Sequence, residues 1–73
     1  MKQVFMWEFG FTNEANQYEE VCYYTYTNKQ DLALSQFQLE EPGITPDYIS
    51  SEGSIPESFM IEEFGDFSLV LDS

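Results

Sequence analysis

The sequence predicts a small α+β domain: an antiparallel sheet that begins with an N-terminal β-hairpin and is packed by one or two short helices. Three observations support this class. Residues 2–11 alternate in character as a strand does, residues 18–27 form a second strand-like segment after a polar turn, and two later segments carry helix-start patterns. An all-β domain is the alternative. The 73 residues are enough for one domain, which we take to span 1–73.

The first two segments are expected to pair as an antiparallel hairpin. Residues 2–11 place aromatic side chains two apart, a period that is typical of a half-buried strand. These side chains are Phe5, Trp7, Phe9 and Phe11, of which Trp7 is expected in the core. Residues 18–27 suit a pleated surface, and the short loop between the segments favours antiparallel pairing. One face of the second strand would carry Tyr18, Glu20, Cys22, Tyr24 and Tyr26.

Residues 28–41 are compatible with two structures. Thr27 followed three residues later by Gln30 is a capping-box pattern, and the leucine, alanine and glutamine content favours a helix. Phe37 and Leu39, however, alternate with polar residues as they would in a third strand. Both interpretations remain open from the sequence.

Residues 42–54 are expected to be rich in loops. The Pro42-Gly43 pair predicts a turn, and Pro46 could open a short helical turn. No strand is expected in this stretch.

Residues 55–64 favour a second helix. Ser54 and Glu57 form another capping-box pattern, and Gly65 could end the helix in the left-handed conformation. In the rival interpretation, Gly65 and Asp66 form a hairpin turn between two strands. A closing strand is expected at 67–71, with three apolar side chains on one side: Phe67, Leu69 and Leu71.

The charge is strongly acidic. Fourteen Asp and Glu residues face two lysines, with no arginine and no histidine, which gives a net charge of −12. Direct binding to nucleic acid or to an anionic membrane surface is therefore not expected, because both need cationic side chains. A net charge of about 2–8 is enough to keep a small domain soluble, so solubility explains this charge incompletely.

The sequence predicts no enzymatic activity, cofactor or metal site, because it lacks every motif that carries such a mechanism. Cys22 is the one cysteine, so it cannot form an intramolecular disulfide, and it is expected to be a structural thiol. Neither a signal peptide nor an apolar run of membrane-spanning length is visible. We therefore expect a complete, soluble, cytoplasmic protein, which would reside in the host bacterial cytoplasm if it is viral.

The acidic side chains of the second half are the first candidate contact surface. On strands or helices such residues stand about 5–7 Å apart, so they could form an anionic row that arginines accept as they accept phosphates. The alternative is a solvated surface. The candidate residues are Glu40, Glu41, Asp47, Glu52, Glu57, Glu62, Glu63 and Asp66.

The tyrosines of the second strand are the other candidate contact surface. Tyr24 and Tyr26 share a face with Tyr18 and Glu20, and if exposed they would form an aromatic and acidic patch able to stack on arginine. In the alternative, a helix covers this face and Tyr24 belongs to the core.

In size, in charge and in its lack of arginine and histidine, the chain resembles the small acidic proteins that viruses of bacteria use against host defences. These include DNA-mimic inhibitors of restriction enzymes and anti-CRISPR proteins. The resemblance implies a phage-encoded, non-catalytic inhibitor that blocks a CRISPR effector or a restriction nuclease.

The predicted function is thus binding to a basic nucleic-acid-binding protein, through a protein–protein interaction that evades host defence. Two alternatives stay open. One is an immunity or antitoxin protein that neutralises a basic toxic nuclease, and the other is a small structural protein that assembles as a homodimer through its open sheet face or edge.

Overall fold

The computed structural model describes residues 2–65 and 70–71, and it confirms a small α+β fold. The described chain forms four strands and two helices: β1 (Gln3–Thr12), β2 (Tyr18–Thr25), α1 (Gln30–Glu40), β3 (Tyr48–Pro56), α2 (Glu57–Phe64) and β4 (Val70–Leu71). The strands lie side by side in the order β3-β1-β2-β4. Strand β1 is antiparallel to both of its neighbours, whereas β4 runs parallel to β2.

The predicted N-terminal hairpin is confirmed, and a polar turn fixes its register. The Asn13 side-chain oxygen accepts hydrogen bonds from the backbone N–H groups of Ala15 and Gln17, while Asn16 takes the left-handed conformation at φ 60°. Asparagine tolerates this conformation better than most residues do. The resulting register sets Glu8 opposite Cys22.

The core lies between α1 and one face of the sheet. Trp7 is buried there as predicted, and Ala33 and Phe37 from α1 cover Phe9 and Phe11. The Phe37 ring stacks on Phe9 with 4.4 Å between the ring centroids. Residues 30–40 are therefore helical, because the aromatic face of β1 offers a surface that a helix with Ala33 and Phe37 four apart can cover.

Both predicted capping boxes are wrong, and each helix begins two residues later than the pattern placed it. The N-caps are Lys29 and Pro56, and neither makes a side-chain capping hydrogen bond. Ser54 cannot cap a helix because it lies in β3, paired with Phe5. At the other end, Gly65 adopts the predicted left-handed conformation at φ 81°.

The prediction that residues 42–54 are rich in loops holds for residues 42–47 and is wrong from Tyr48, where β3 begins. The turn at Pro42-Gly43 is present, but no helical turn forms at Pro46. Strand β3 fills the free edge of β1 and contributes Ile49 and Ile55 to the sheet. A register shift interrupts its alternation, so the period of two is not visible in the sequence.

The C-terminal strand prediction is confirmed for Val70 and Leu71, which pair with Tyr24 and Thr25. The predicted positions Phe67 and Leu69 lie outside the described residues. In the described part of the chain, neither helix is long and apolar enough to cross a membrane.

Candidate acidic binding face

The second face of the sheet is covered by α2 at one end only. Phe64 of α2 packs against Tyr24 at 5.8 Å between ring centroids. The Tyr26 hydroxyl donates a 2.7 Å hydrogen bond to the Glu57 carboxylate, and the Glu57 backbone N–H donates to the carbonyl of Lys2. An eight-residue helix is about 12 Å long, so it spans only part of the sheet.

The other end of this face carries carboxylates and tyrosines, and no other element of the described chain lies over it. We call this surface the acidic face: Glu8, Tyr18, Glu20, Asp47, Tyr48 and Glu52. Strand register builds it, because Glu20 and Tyr48 stand on either side of Gly10, two residues beyond Glu8. Tyr18 is 56% exposed and Tyr48 is 44% exposed.

A bulge in β3 brings Glu52 to the acidic face. Gly53 pairs with Met6 and Ser51 pairs with Trp7, so Glu52 is the extra residue between them. Gly53 has φ 108°, a conformation that side chains disfavour, which accounts for the glycine there. The Ser50 hydroxyl donates a 3.2 Å hydrogen bond to the Glu52 carboxylate and holds it on this side of the strand.

Gly10 allows Tyr18 to lie across the acidic face. The Tyr18 hydroxyl occupies the space that a Cβ atom would need at position 10. A larger residue there would push the ring away from the sheet. Glycine at position 10 therefore allows the Tyr18 ring to lie over β1 beside Glu20.

The carboxylates of the acidic face repel one another. Partial burial, the negative charges of Glu20 and Glu52, and hydrogen-bond contact with Glu20 together raise the pKa of Glu8. The lysines lie elsewhere: Lys2 stands near Glu57 at 3.9 Å, the one ion pair among the described residues, and Lys29 precedes α1 on the opposite side of the sheet. In the described part of the chain, neither lysine forms an ion pair with a carboxylate of the acidic face.

Replacing Glu8 with glutamine is expected to stabilise the fold at neutral pH. The folded pKa of Glu8 lies above its ordinary value of 4.5, so the folded chain binds this proton more tightly than the unfolded chain does. Its contribution to stability is therefore full below about pH 4.5 and is lost as the pH rises through the raised pKa. Urea unfolding of the parent and Glu8→Gln across this range measures the effect.

The matched control is Glu63→Gln, which removes one charge from an exposed position on α2. It should change stability less and should leave the pH dependence of the parent in place. If Glu8→Gln stabilises the fold at pH 7 no more than this control does, the carboxylates of the acidic face do not repel one another as expected.

The same charges make the neighbouring groups poor nucleophiles. Partial burial and the charges of Glu8 and Glu52 raise the pKa of the exposed Cys22 thiol, which keeps it protonated at neutral pH. Burial and the charges of Glu20, Asp47 and Glu8 raise the pKa of Tyr18. Within the described residues, no group of three or more acids or cysteines has the arrangement of a metal site.

The acidic residues singled out from the sequence do not form a single row. Asp47 and Glu52 lie on the acidic face, whereas Glu40 and Glu41 lie at the far end of α1, where their charges help to raise the pKa of Tyr23. Glu62 and Glu63 are exposed on α2, and Asp66 lies outside the described residues.

The remaining candidates lie at the end of the sheet that α2 covers. Tyr24 is half-buried against Phe64, and Tyr26 is held by Glu57, with the Lys2 ammonium 4.3 Å from the centre of its ring. These residues therefore serve the packing of α2, and their part in binding a partner stays a prediction.

Sequence reasoning placed Glu20 and Tyr18 in the predicted aromatic and acidic patch but missed Glu8 and Tyr48. Glu8 could have been found, because pairing the two predicted strands of the hairpin places its carboxylate on the same face as Glu20. Tyr48 could not, since β3 was not predicted.

Comparison of the chain with protein-family models, with curated proteins and with solved structures found no match in any of the three.

Proposed function

We propose that this chain is a non-catalytic inhibitor that binds a basic surface of a nucleic-acid-binding protein and blocks it. The observation that carries the proposal is the acidic face: four carboxylates and two exposed tyrosines on a rigid sheet, with both lysines elsewhere. The preferred partner is a CRISPR effector or a restriction nuclease, in line with the resemblance in size and charge to phage inhibitors.

The spacing of the carboxylates suits a surface that normally holds a phosphate backbone. Neighbouring strands are about 4.8 Å apart, and diagonal positions across them are about 7–8 Å apart. A nucleic-acid strand carries one charge per about 3.4 Å, so the two charge densities are of the same order. Arginines that bind phosphates in a partner's groove can form the same forked hydrogen bonds with Glu8, Glu20 and Glu52.

The exposed tyrosines add contact area to the charged groups of the acidic face. Tyr18 and Tyr48 flank the carboxylates, and an aromatic ring binds a guanidinium on its face while losing little side-chain entropy. Since every residue of the acidic face except Asp47 lies in a strand, little backbone ordering is needed on binding.

The test is capture of a partner by variants with matched charge. The parent chain, Glu20→Lys/Glu52→Lys and Glu62→Lys/Glu63→Lys are used as bait in nuclease-treated bacterial lysate at two salt concentrations, and partners are identified by mass. We expect the first variant to weaken binding to a recovered basic nuclease or CRISPR effector at least about tenfold at low salt, mainly through the association rate. The α2 variant should bind within about threefold of the parent, because only long-range charge changes.

Competition with nucleic acid completes the test. DNA or guide RNA should displace the chain from its partner, and high salt should weaken the complex. Equal loss of binding in both variants would mean that net charge, not the acidic face, drives recognition. A complex that nucleic acid does not displace would reject blocking of the nucleic-acid site. Recovery of a toxin of the producing cell would instead favour an immunity protein.

A further inference from the structure

A cavity of about 490 Å³ lies between α1 and the sheet, on the side opposite the acidic face. Its described walls come from β1, β2, β4, one side of α1 and residues 26–28 of the loop between β2 and α1, and they include Phe5, Thr25, Leu32, Ser35, Gln36 and Leu71. Pockets that bind small molecules have volumes of about 300–1,000 Å³ and mostly apolar walls. The cavity therefore has the size and the lining of a ligand site, and it belongs to neither surface described above.

Gln36 is a buried polar residue in the wall of this cavity, and its side-chain amide is available to a ligand. Its side chain is only 9% exposed, and within the described residues its amide has no hydrogen-bond partner. Among residues 2–65 and 70–71, no side-chain nitrogen or oxygen atom is both fully sealed from solvent and without a partner, so the Gln36 amide keeps its remaining access to solvent through the cavity. A buried amide without a partner costs free energy that a ligand could recover.

Two other polar groups of the wall, the buried Thr25 hydroxyl and the exposed Ser35 hydroxyl, are already bonded to the protein. The Thr25 hydroxyl accepts a hydrogen bond from the Trp7 indole and donates one to the Thr27 carbonyl, each 2.8 Å long. The Ser35 hydroxyl donates to the Asp31 carbonyl at 3.1 Å. Among the buried polar groups of the described wall, the Gln36 amide is thus the one that would orient a ligand, and it offers one donor and one acceptor side by side.

We propose that this cavity binds a small, uncharged, planar molecule with a lactam edge, in which an N–H and a carbonyl stand side by side. Such an edge forms two parallel hydrogen bonds with a primary amide, while the ring body packs against Phe5, Leu32 and Leu71. The described lining residues carry no charge, and the net charge of −12 disfavours an anion.

The probe for this test is 2-quinolinone, with quinoline as a matched compound that has the same ring shape but lacks the lactam edge. Titration of ¹⁵N-labelled protein by NMR should shift the Gln36 side-chain NH₂ signals and the backbone signals around the cavity. We expect quinoline to bind about fivefold more weakly, because its ring nitrogen can still accept a hydrogen bond from the Gln36 amide and about one neutral hydrogen bond is lost.

Two variants test whether these compounds bind in the cavity. Gln36→Leu should keep the fold, because it replaces an unpartnered amide with an apolar group, and it should lower the affinity for 2-quinolinone about tenfold and the affinity for quinoline by less. Leu32→Trp fills the mouth of the cavity from a half-exposed position and should abolish binding of both compounds. Its control is Leu39→Trp, the same substitution at a 74% exposed position of α1 outside the cavity, which should bind as the parent does.

The proposal fails if 2-quinolinone shifts no signal around the cavity up to its solubility limit. It also fails if Gln36→Leu binds both compounds as the parent does, or if Leu32→Trp has no effect. None of these results bears on the acidic face, whose variants leave the cavity intact.

Discussion

Replacement of Phe37 by alanine should remove most of the free energy of unfolding of this domain. The Phe37 side chain is fully buried, stacks on Phe9 at 4.4 Å, and contacts Phe11 and Tyr23 at 5.6 and 5.9 Å between ring centroids. Removing a buried phenylalanine costs about 3–5 kcal/mol. Natural domains are stable by only about 5–15 kcal/mol, and a chain this small is expected near the lower end.

Urea unfolding, followed by circular dichroism and by the fluorescence of Trp7, measures this loss. Leu39→Ala is the matched control, because it shortens a side chain of the same helix that is 74% exposed. It should change the free energy of unfolding by no more than about 0.5 kcal/mol. A loss below about 1 kcal/mol for Phe37→Ala would contradict the assignment of α1 as the main cover of the aromatic face.

The hairpin could be predicted because its signals are local. Aromatic residues alternate with other residues along β1, which indicates the two faces of a strand directly. Asn13 and Asn16 favour the turn through hydrogen bonds and a backbone conformation within a few residues. The sequence does not decide between a helix and a strand for α1, because Phe37 and Leu39 alternate with polar residues as in a strand. The structure explains this pattern, since Phe37 is core while Leu39 points to solvent.

Strand β3 could not be predicted because its stability comes from a distant partner. Between Ile49 and Ile55 it contains mainly serine and glycine, together with the bulged Glu52, and none of these favours a strand alone. It is a strand because β1 would otherwise keep an unpaired edge next to the buried Val4 and Phe9. Half of the acidic face depends on this pairing, which is why the predicted acidic row and the observed surface differ.

Loss of the hydrogen bond between Trp7 and Thr25 is expected to have the second large effect on the stability of the fold. The Trp7 indole N–H donates to the Thr25 hydroxyl at 2.8 Å, and the two residues are 3% and 1% exposed. Valine has nearly the shape of threonine but cannot accept this bond. Thr25→Val should therefore destabilise the fold by about 1–3 kcal/mol, because the indole N–H stays buried without a partner. Urea unfolding followed by circular dichroism measures this change.

A double-mutant cycle separates this bond from the packing around it. Thr25→Ser keeps the hydroxyl and loses only a methyl group, so it should cost less than Thr25→Val. In a Trp7→Phe background the donor is gone, and the penalty of Thr25→Val should shrink by about 1 kcal/mol or more. An unchanged penalty in that background would show that the cost comes from the bond between the Thr25 hydroxyl and the Thr27 carbonyl. Trp7 would then be held by packing alone.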